Sequence, residues 1–244
     1  MSDLPLPVRY EQNDGIAVIT LNRPEKKNAI NLAMAQLIQG YLQRAEQDDA
    51  VRVIVLTGLP QVFSAGMDVR AFQQGELPVV EPEGFGGLVH AQLTKVIIAA
   101  VDGIAFGGGF EIALACDLIV ASHSAQFSFP ETGLGLIAAQ GGCSRLPARI
   151  SPYIALEWLL TGRIISAQEA WQQGAISRIS EGSAHEEALT LARQIAQKNP
   201  LASQAVKAIV RQGLNRHEAA SFDYQQGWVE RVRQAAAKSF QEHS

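Results

Sequence analysis

The chain has 244 residues, 47% of them apolar and 18% charged, with a formal net charge of −4. That length allows one or two domains around a large core, and that composition excludes a disordered or fibrous protein. The acidic balance speaks against a nucleic-acid or anionic-membrane surface. Two cysteines, Cys116 and Cys143, with no CxxC or HExxH spacing, fit a reduced cytoplasmic protein with neither a disulfide framework nor a zinc site. The opening residues, Met1-Ser-Asp-Leu-Pro-Leu-Pro7, lack the basic and long apolar regions of a signal peptide.

Asn13-Asp14-Gly15, flanked by the candidate strands at residues 8–11 and 16–21, predicts a hairpin. Asn31 predicts a helix N-cap, because Met34, Leu37, Ile38, Tyr41, Leu42 and Ala45 follow it with the 3.6-residue period. Residues 51–57 read as a buried strand ending at Gly58. Residues 74–87, rich in Gly, Pro and Glu, read as a mobile loop, with helical residues after it leading to a strand over 96–101. A Gly-rich turn, a helix through Cys116 and a strand over 118–122 follow. The apolar run 96–121 carries Asp102, Glu111 and Asp117, each costing roughly 2.5–3.5 kcal/mol at a bilayer centre. It therefore reads as strand, tight turn and buried helix rather than as a membrane span. Beyond about Ser183 the pattern is helical, over 186–197, 201–213 and 217–240, with Pro200 as a start signal. The expected organisation is an α/β body at residues 1–183 and an α-helical region at 184–244.

The chemistry gathers at Gly107-Gly108-Gly109-Phe-Glu111 and, twenty residues on, at Phe129-Pro130-Glu131. Glycines let a backbone approach a ligand, and a helix N-terminus offers free N–H groups and a positive dipole end. Those are the parts that stabilise an oxyanion, with acids placed to move protons. The run is no dinucleotide fingerprint, since Ile112 stands where the third glycine belongs, and no P-loop, since no Lys-Ser/Thr follows. The plain alternatives stay open on local sequence: a packing turn, a structural ion pair for Glu111, a helix-start acid for Glu131. A second turn, Phe63-Ser-Ala-Gly-Met-Asp68, is built from similarly small residues, and Asp68 could simply cap a helix there. Neither Ser64 nor Ser144 stands in GxSxG, and the five histidines have no metal or triad spacing.

Several motifs in register resemble the crotonase superfamily, the enoyl-CoA hydratase/isomerase family, over nearly the whole length. They are Leu21-Asn-Arg-Pro-Glu-Lys-Lys-Asn28-Ala29, Phe63-Ser-Ala-Gly-Met-Asp68, Ala100-Val-Asp-Gly-Ile-Ala-Phe-Gly-Gly-Gly-Phe-Glu111 and Ala125-Gln-Phe-Ser-Phe-Pro-Glu131. Gly141-Gly-Cys-Ser-Arg-Leu146 and Leu160-Thr-Gly-Arg163 through Ala175 continue the pattern. The stretch Phe106 to Leu114, with Gly84-Phe-Gly-Gly87 upstream, is similar to the carnitinyl-CoA dehydratase (crotonobetainyl-CoA hydratase) branch.

The resemblance implies an α/β fold, a spiral of ββα units whose C-terminal helical region assembles homotrimers or dimers of trimers. It implies an acyl-CoA thioester as substrate and no cofactor or metal. The thioester carbonyl would be held by the backbone N–H groups of Met67 and Gly108, with Glu111 and Glu131 as the catalytic acids. Two glutamates imply reversible hydration of a 2-enoyl-CoA, with Glu131 moving the proton at carbon and Glu111 activating water. An isomerase needs only the second acid, and a non-catalytic CoA- or RNA-binding scaffold needs neither. CoA contacts carry over to Lys26, Lys27, Ala65, Asp68, Val69, Arg70 and Phe240. Two departures stand out: His243 replaces a family lysine near the CoA phosphates, and Ala138-Ala139-Gln140 replaces a Pro-Gly turn beside the acyl pocket.

Overall fold

The computed structural model describes residues 6–213 and Arg231. A six-stranded sheet forms the centre, in the order β1 (Val8–Asn13), β2 (Ile16–Leu21), β3 (Val53–Thr57), β7 (Val96–Val101), β9 (Leu118–Ser122) and β12 (Arg178–Ser180). Only β1 runs antiparallel, paired to β2 through a two-residue turn with positive φ at Asp14 and Gly15. That conformation gives a primed turn, whose twist matches that of the flanking strands. All five residues of β3 are buried, as are the last five of β7. A continuous apolar run is what a parallel strand covered on both faces requires.

The two faces carry different cores. On one, helix α1 (Leu32–Gln47) buries Met34, Ala35, Ile38, Leu42 and Ala45, and the Asn31 side chain accepts the Met34 N–H at 3.1 Å. On the other, α7 (Ala184–Ala196) lays Ala184, Ala188 and Ala192 over Val53, Val55, Ile98, Ala100 and Val120. The first helix after Ser183 thus covers the sheet itself. Helix α8 (Pro200–Gly213) starts at Pro200 and is tied down by Asp117, which takes Lys207 Nζ at 2.9 Å and Arg211 Nε at 2.7 Å.

A second sheet, in the order β11 (Ile165–Ser166), β10 (Gln126–Ser128), β8 (Ile104–Phe106) and β4 (Val62–Ser64), carries the turns of interest at its strand ends. The remaining helices are α2 (Val69–Gln73), α3 (Gly108–Ala115), α4 (Gly142–Arg145), α5 (Pro152–Thr161) and α6 (Ala167–Gln172). Among the described residues no helix is long and apolar enough to cross a membrane, and the run 96–121 is strand, turn and helix.

Two local expectations are corrected. Residues 74–87 are not a plain loop: β5 (Val79–Val80) and β6 (Gly84–Phe85) pair antiparallel, and Phe85 is buried against the main core. The residues between them and β7 are turns rather than a helix. Leu88 and Val89 follow an apolar pattern because they pack inward, which a window on the sequence reads as a helical face.

Candidate active site

The first turn is shaped from below by a buried asparagine. Asn28 donates to the Val62 and Phe63 carbonyls, each at 3.1 Å, while its backbone carbonyl accepts Ser64 Oγ at 2.8 Å. Its side-chain oxygen takes the Arg23 N–H at 2.7 Å. Ile30 then clamps both sides of Met67: its N–H donates to the Gly66 carbonyl, and its carbonyl accepts the Asp68 N–H. Alternation along the extended chain turns the Met67 N–H the other way, and it has no acceptor among the described residues.

The second turn meets the first through backbone. After β8 the chain reverses at Gly107 (φ 50°, ψ −123°) and enters α3 at Gly108. Gly66, at φ +97°, lies so close that a Cβ there would stand 2.8 Å from the Phe106 carbonyl and 3.2 Å from the Gly108 nitrogen. A Cβ at Gly108 would collide with the Phe85 ring at 2.5 Å, so that ring roofs the turn. As the first residue of its helix, Gly108 has an N–H with no intrahelical acceptor, and none is found elsewhere among the described residues. The two abutting turns thus hold two N–H donors without a protein acceptor among the described residues, that of Gly108 at the positive end of α3.

The carboxyls flank those donors. Glu111, in the first turn of α3, is buried and accepts the Gly142 N–H at 3.0 Å on Oε1. Burial pushes its pKa from the usual 4.5 up to about 7; the Gly142 bond opposes the rise and the neighbouring Glu131 charge adds to it. Glu131 follows β10 in a short 3-10 turn and is also raised by burial, and its Oε2 has no partner among the described residues. A Cβ on Gly107 would come within 2.8 Å of Glu131 Oε1, so the missing side chain is what lets the carboxyl lie against the turn. Phe110 stacks on Phe129 at 4.8 Å and packs on Phe127 at 4.7 Å, fixing α3 against the strand that delivers Glu131. Two raised acids beside two free N–H groups can exchange protons with a carbonyl compound whose oxygen is held as an anion.

The sequence profile of Enoyl-CoA hydratase/isomerase matches residues 11–243. The chain belongs to the enoyl-CoA hydratase/isomerase family. Among curated relatives it is 42% identical over 205 residues to the carnitinyl-CoA dehydratase of Salmonella heidelberg (strain SL476), covering 82% of this chain and 78% of that one. Its fold is similar to that of an enoyl-CoA hydratase from Mycobacterium tuberculosis H37Rv, with a TM-score of 0.91, 38% identity and coverage of 98% and 97% of the two chains. It is also similar to a carnitinyl-CoA dehydratase from Mycobacterium avium 104, with a TM-score of 0.82, 39% identity and coverage of 96% and 92%.

The residues that family resemblance marks for CoA divide into groups. Lys27 lies beside Ala65, whose N–H donates to the Lys27 carbonyl at 3.0 Å, with Lys26 next to it. Val69 and Arg70 are exposed at the start of α2. Asp68 is already occupied: it caps α2 by accepting the Arg70 and Ala71 N–H groups and pairs with Arg23 at 2.7 Å. Burial pushes its carboxyl up, but Arg23 and those amides outweigh it and hold the group below its usual range. Phe240 and His243 lie outside the described residues. Sequence reasoning gave no role to Gly142 or Phe85, and read Gly107 as part of the ligand-facing turn without its contact to Glu131; the doubled glycine at 141–142 was the one signal for the first. Among the described residues no group of three or more His, Cys, Asp or Glu side chains is placed to hold a metal ion.

Proposed function

We propose that this chain is a hydro-lyase that reversibly adds water to a 2-enoyl-CoA thioester. The observation that carries this reading is the pair of glutamates, both raised by burial, set beside the free N–H groups of Met67 and Gly108. The thioester oxygen accepts from those two amides, so charge reaching it on addition is stabilised. Removal of one such donor typically costs roughly 10²–10³ in rate. In the hydration direction the Glu111 carboxylate takes a proton from water as the water oxygen bonds to the β-carbon. The enolate electrons return to the α-carbon, which takes its proton from the Glu131 acid; dehydration runs the same steps backwards. Lys26, Lys27, Ala65, Val69 and Arg70 form the approach for CoA, with Asp68 holding the loop that presents them and Phe240 as a further contact. No metal or organic cofactor takes part.

The relatives' names favour a carnitine-type acyl group, and crotonobetainyl-CoA heads the substrates to test. Exposed Leu134 and Ile137 and the exposed face of α5 bearing Tyr153, Leu156 and Leu160 form an apolar surface suited to self-association, and the family resemblance makes homotrimers or dimers of trimers, in a cytoplasmic setting, the assembly to test. Sedimentation velocity reads that assembly directly. The deciding assay offers short and medium 2-enoyl-CoAs, crotonobetainyl-CoA among them, and weighs the products. A gain of one water, reduced at least about 10²-fold by Glu111→Gln and further by Glu131→Gln, is the expected result. A double-bond shift that survives Glu111→Gln makes the chain an isomerase instead, and tight CoA binding without turnover makes it a scaffold.

A further inference from the structure

We propose that Arg145 is a positioning residue for this reaction, its guanidinium tying the turn that holds Glu111 to the segment that roofs Gly108. The inference rests on the hydratase reading above. Arg145 is the last residue of α4, and its side chain folds back over the start of that helix. Nη1 donates to the Gln140 carbonyl at 3.1 Å, and Nη2 donates to the Val89 carbonyl. Its backbone N–H also donates to the Gly141 carbonyl at 2.7 Å. The fold makes room for this return: at Gly141 (φ +123°) a Cβ would stand 1.9 Å from Nη1. One planar fork thus grips two carbonyls that no other side chain bridges among the described residues.

Each carbonyl leads to the site. Gln140 precedes the glycine pair, and fixing it aims the Gly142 N–H at Glu111 Oε1. The fit there is close, since a Cβ on Gly142 would meet Ala138 at 2.6 Å and Glu111 Oε1 at 3.3 Å. Val89 donates its N–H to the carbonyl of Phe85, the residue whose ring covers Gly108. An apolar side chain could fill the same space without the cost of burying a cation. The cation has a use because Glu111 feels it. Facing Glu111 are the Gly142 N–H and the Gln140 backbone, which favour its ionised form, and Glu131, which opposes it; Arg145 is the positive charge among them. The exposed Cys143 thiol lies near both carboxylates and its pKa is pushed up by partial desolvation and by their charges. A guanidinium cannot lose its proton at working pH, so its bias on Glu111 is constant.

The test uses the full chain with Arg145→Gln and Arg145→Lys, and two readouts. The first is kcat and KM with the 2-enoyl-CoA turned over. The second is the titration midpoint of the Glu111 carboxyl by ¹³C NMR without substrate, assigned with Glu111→Gln. Arg145→Gln is expected to lower kcat by about 10–100-fold with KM nearly unchanged, a loss of the size that misplaced catalytic groups produce, and to move the midpoint upward from about 7. Arg145→Lys is expected to return the midpoint most of the way but kcat only in part, because an ammonium restores charge and not the fork. A folded Arg145→Gln with unchanged kcat, or one whose midpoint is unmoved while activity follows the amount of folded protein, overturns the proposal. If Arg145→Gln does not fold, a wild-type kcat in Arg145→Lys overturns it. If the wild-type chain hydrates no thioester, the functional reading fails, and the midpoint still decides whether Arg145 acts on Glu111.

Discussion

Glu111 and Glu131 are the same residue type with raised pKa values, yet their surroundings differ. Glu111 belongs to an entirely buried helix and is gripped by a backbone N–H; Glu131 stands in a short 3-10 turn with one oxygen unpartnered among the described residues. A carboxylate held by a fixed donor keeps its position and can orient a water. One with a free oxygen can take up and release a proton without breaking a structural bond. Placing both near one turn raises each through lost hydration, and the Glu131 charge raises Glu111 further, so the pair favours one ionised and one protonated member.

That asymmetry can be broken in steps. Glu131→Gln should reduce kcat most, toward roughly 10⁴-fold, as loss of the general acid–base at carbon predicts. Glu111→Gln should cost less, roughly 10²–10³-fold, because an amide oxygen still accepts the Gly142 N–H and part of the water-binding geometry survives. Equal losses in steady-state assays would erase the distinction between the two acids.

Glu111 also links activity to pH and to stability. Because hydration needs Glu111 ionised and Glu131 protonated, kcat should follow a bell in pH whose two limbs belong to the coupled pair, and pH–rate profiles of kcat read both limbs. The Glu111 carboxyl titrates near 7 when folded against an ordinary 4.5. It therefore favours the folded state most below about pH 4.5, and that contribution is lost as pH rises through 7. Glu111→Gln should accordingly stabilise the fold at pH 8 by on the order of 3 kcal/mol relative to pH 4. Urea titrations at the two pH values measure it, and an equal effect at both would mean that the buried carboxyl is not the strained member of the pair.

Gly107→Ala tests the contact on the other side. Its Cβ would enter at 2.8 Å from Glu131 Oε1 at a positive φ, so kcat should fall about 10²-fold with little change in KM. The smallest effect is expected at Asp68→Ala, which removes the α2 cap and the Arg23 pair and should cost about 1–2 kcal/mol by thermal unfolding. Since the Asp68 carboxyl is held below its usual range, the difference between wild type and variant should shrink as pH falls through that lowered value.

Much of this was legible in the chain. The hairpin at Asp14-Gly15, the Asn31 cap and the start of α8 at Pro200 follow from local backbone chemistry, which a few neighbouring residues determine. The two glutamates and the glycine triplet could be picked out because carboxylates and unhindered turns in apolar surroundings are costly without a use. Asp68 was legible both ways, as a CoA contact by resemblance and as a cap by position; the structure shows the cap. Residues 74–95 misled in the opposite direction, since glycines and prolines signal a loop whether or not two short strands pair across it.

The strands β1, β2, β3, β7 and β9, the helices α1, α3, α7 and α8, the apolar centre of the sheet and the residue types of the site were legible in the sequence, because period, propensity and turn geometry act over a few residues. Which groups meet was decided only by tertiary structure. Gly142 reaches Glu111 across 31 positions, Phe85 covers Gly108, Gly66 abuts Phe106, and Arg145 joins Gln140 to Val89. The raised pKa of Glu111 belongs to that second class as well, since it comes from water excluded by packing and from a carboxylate twenty residues away.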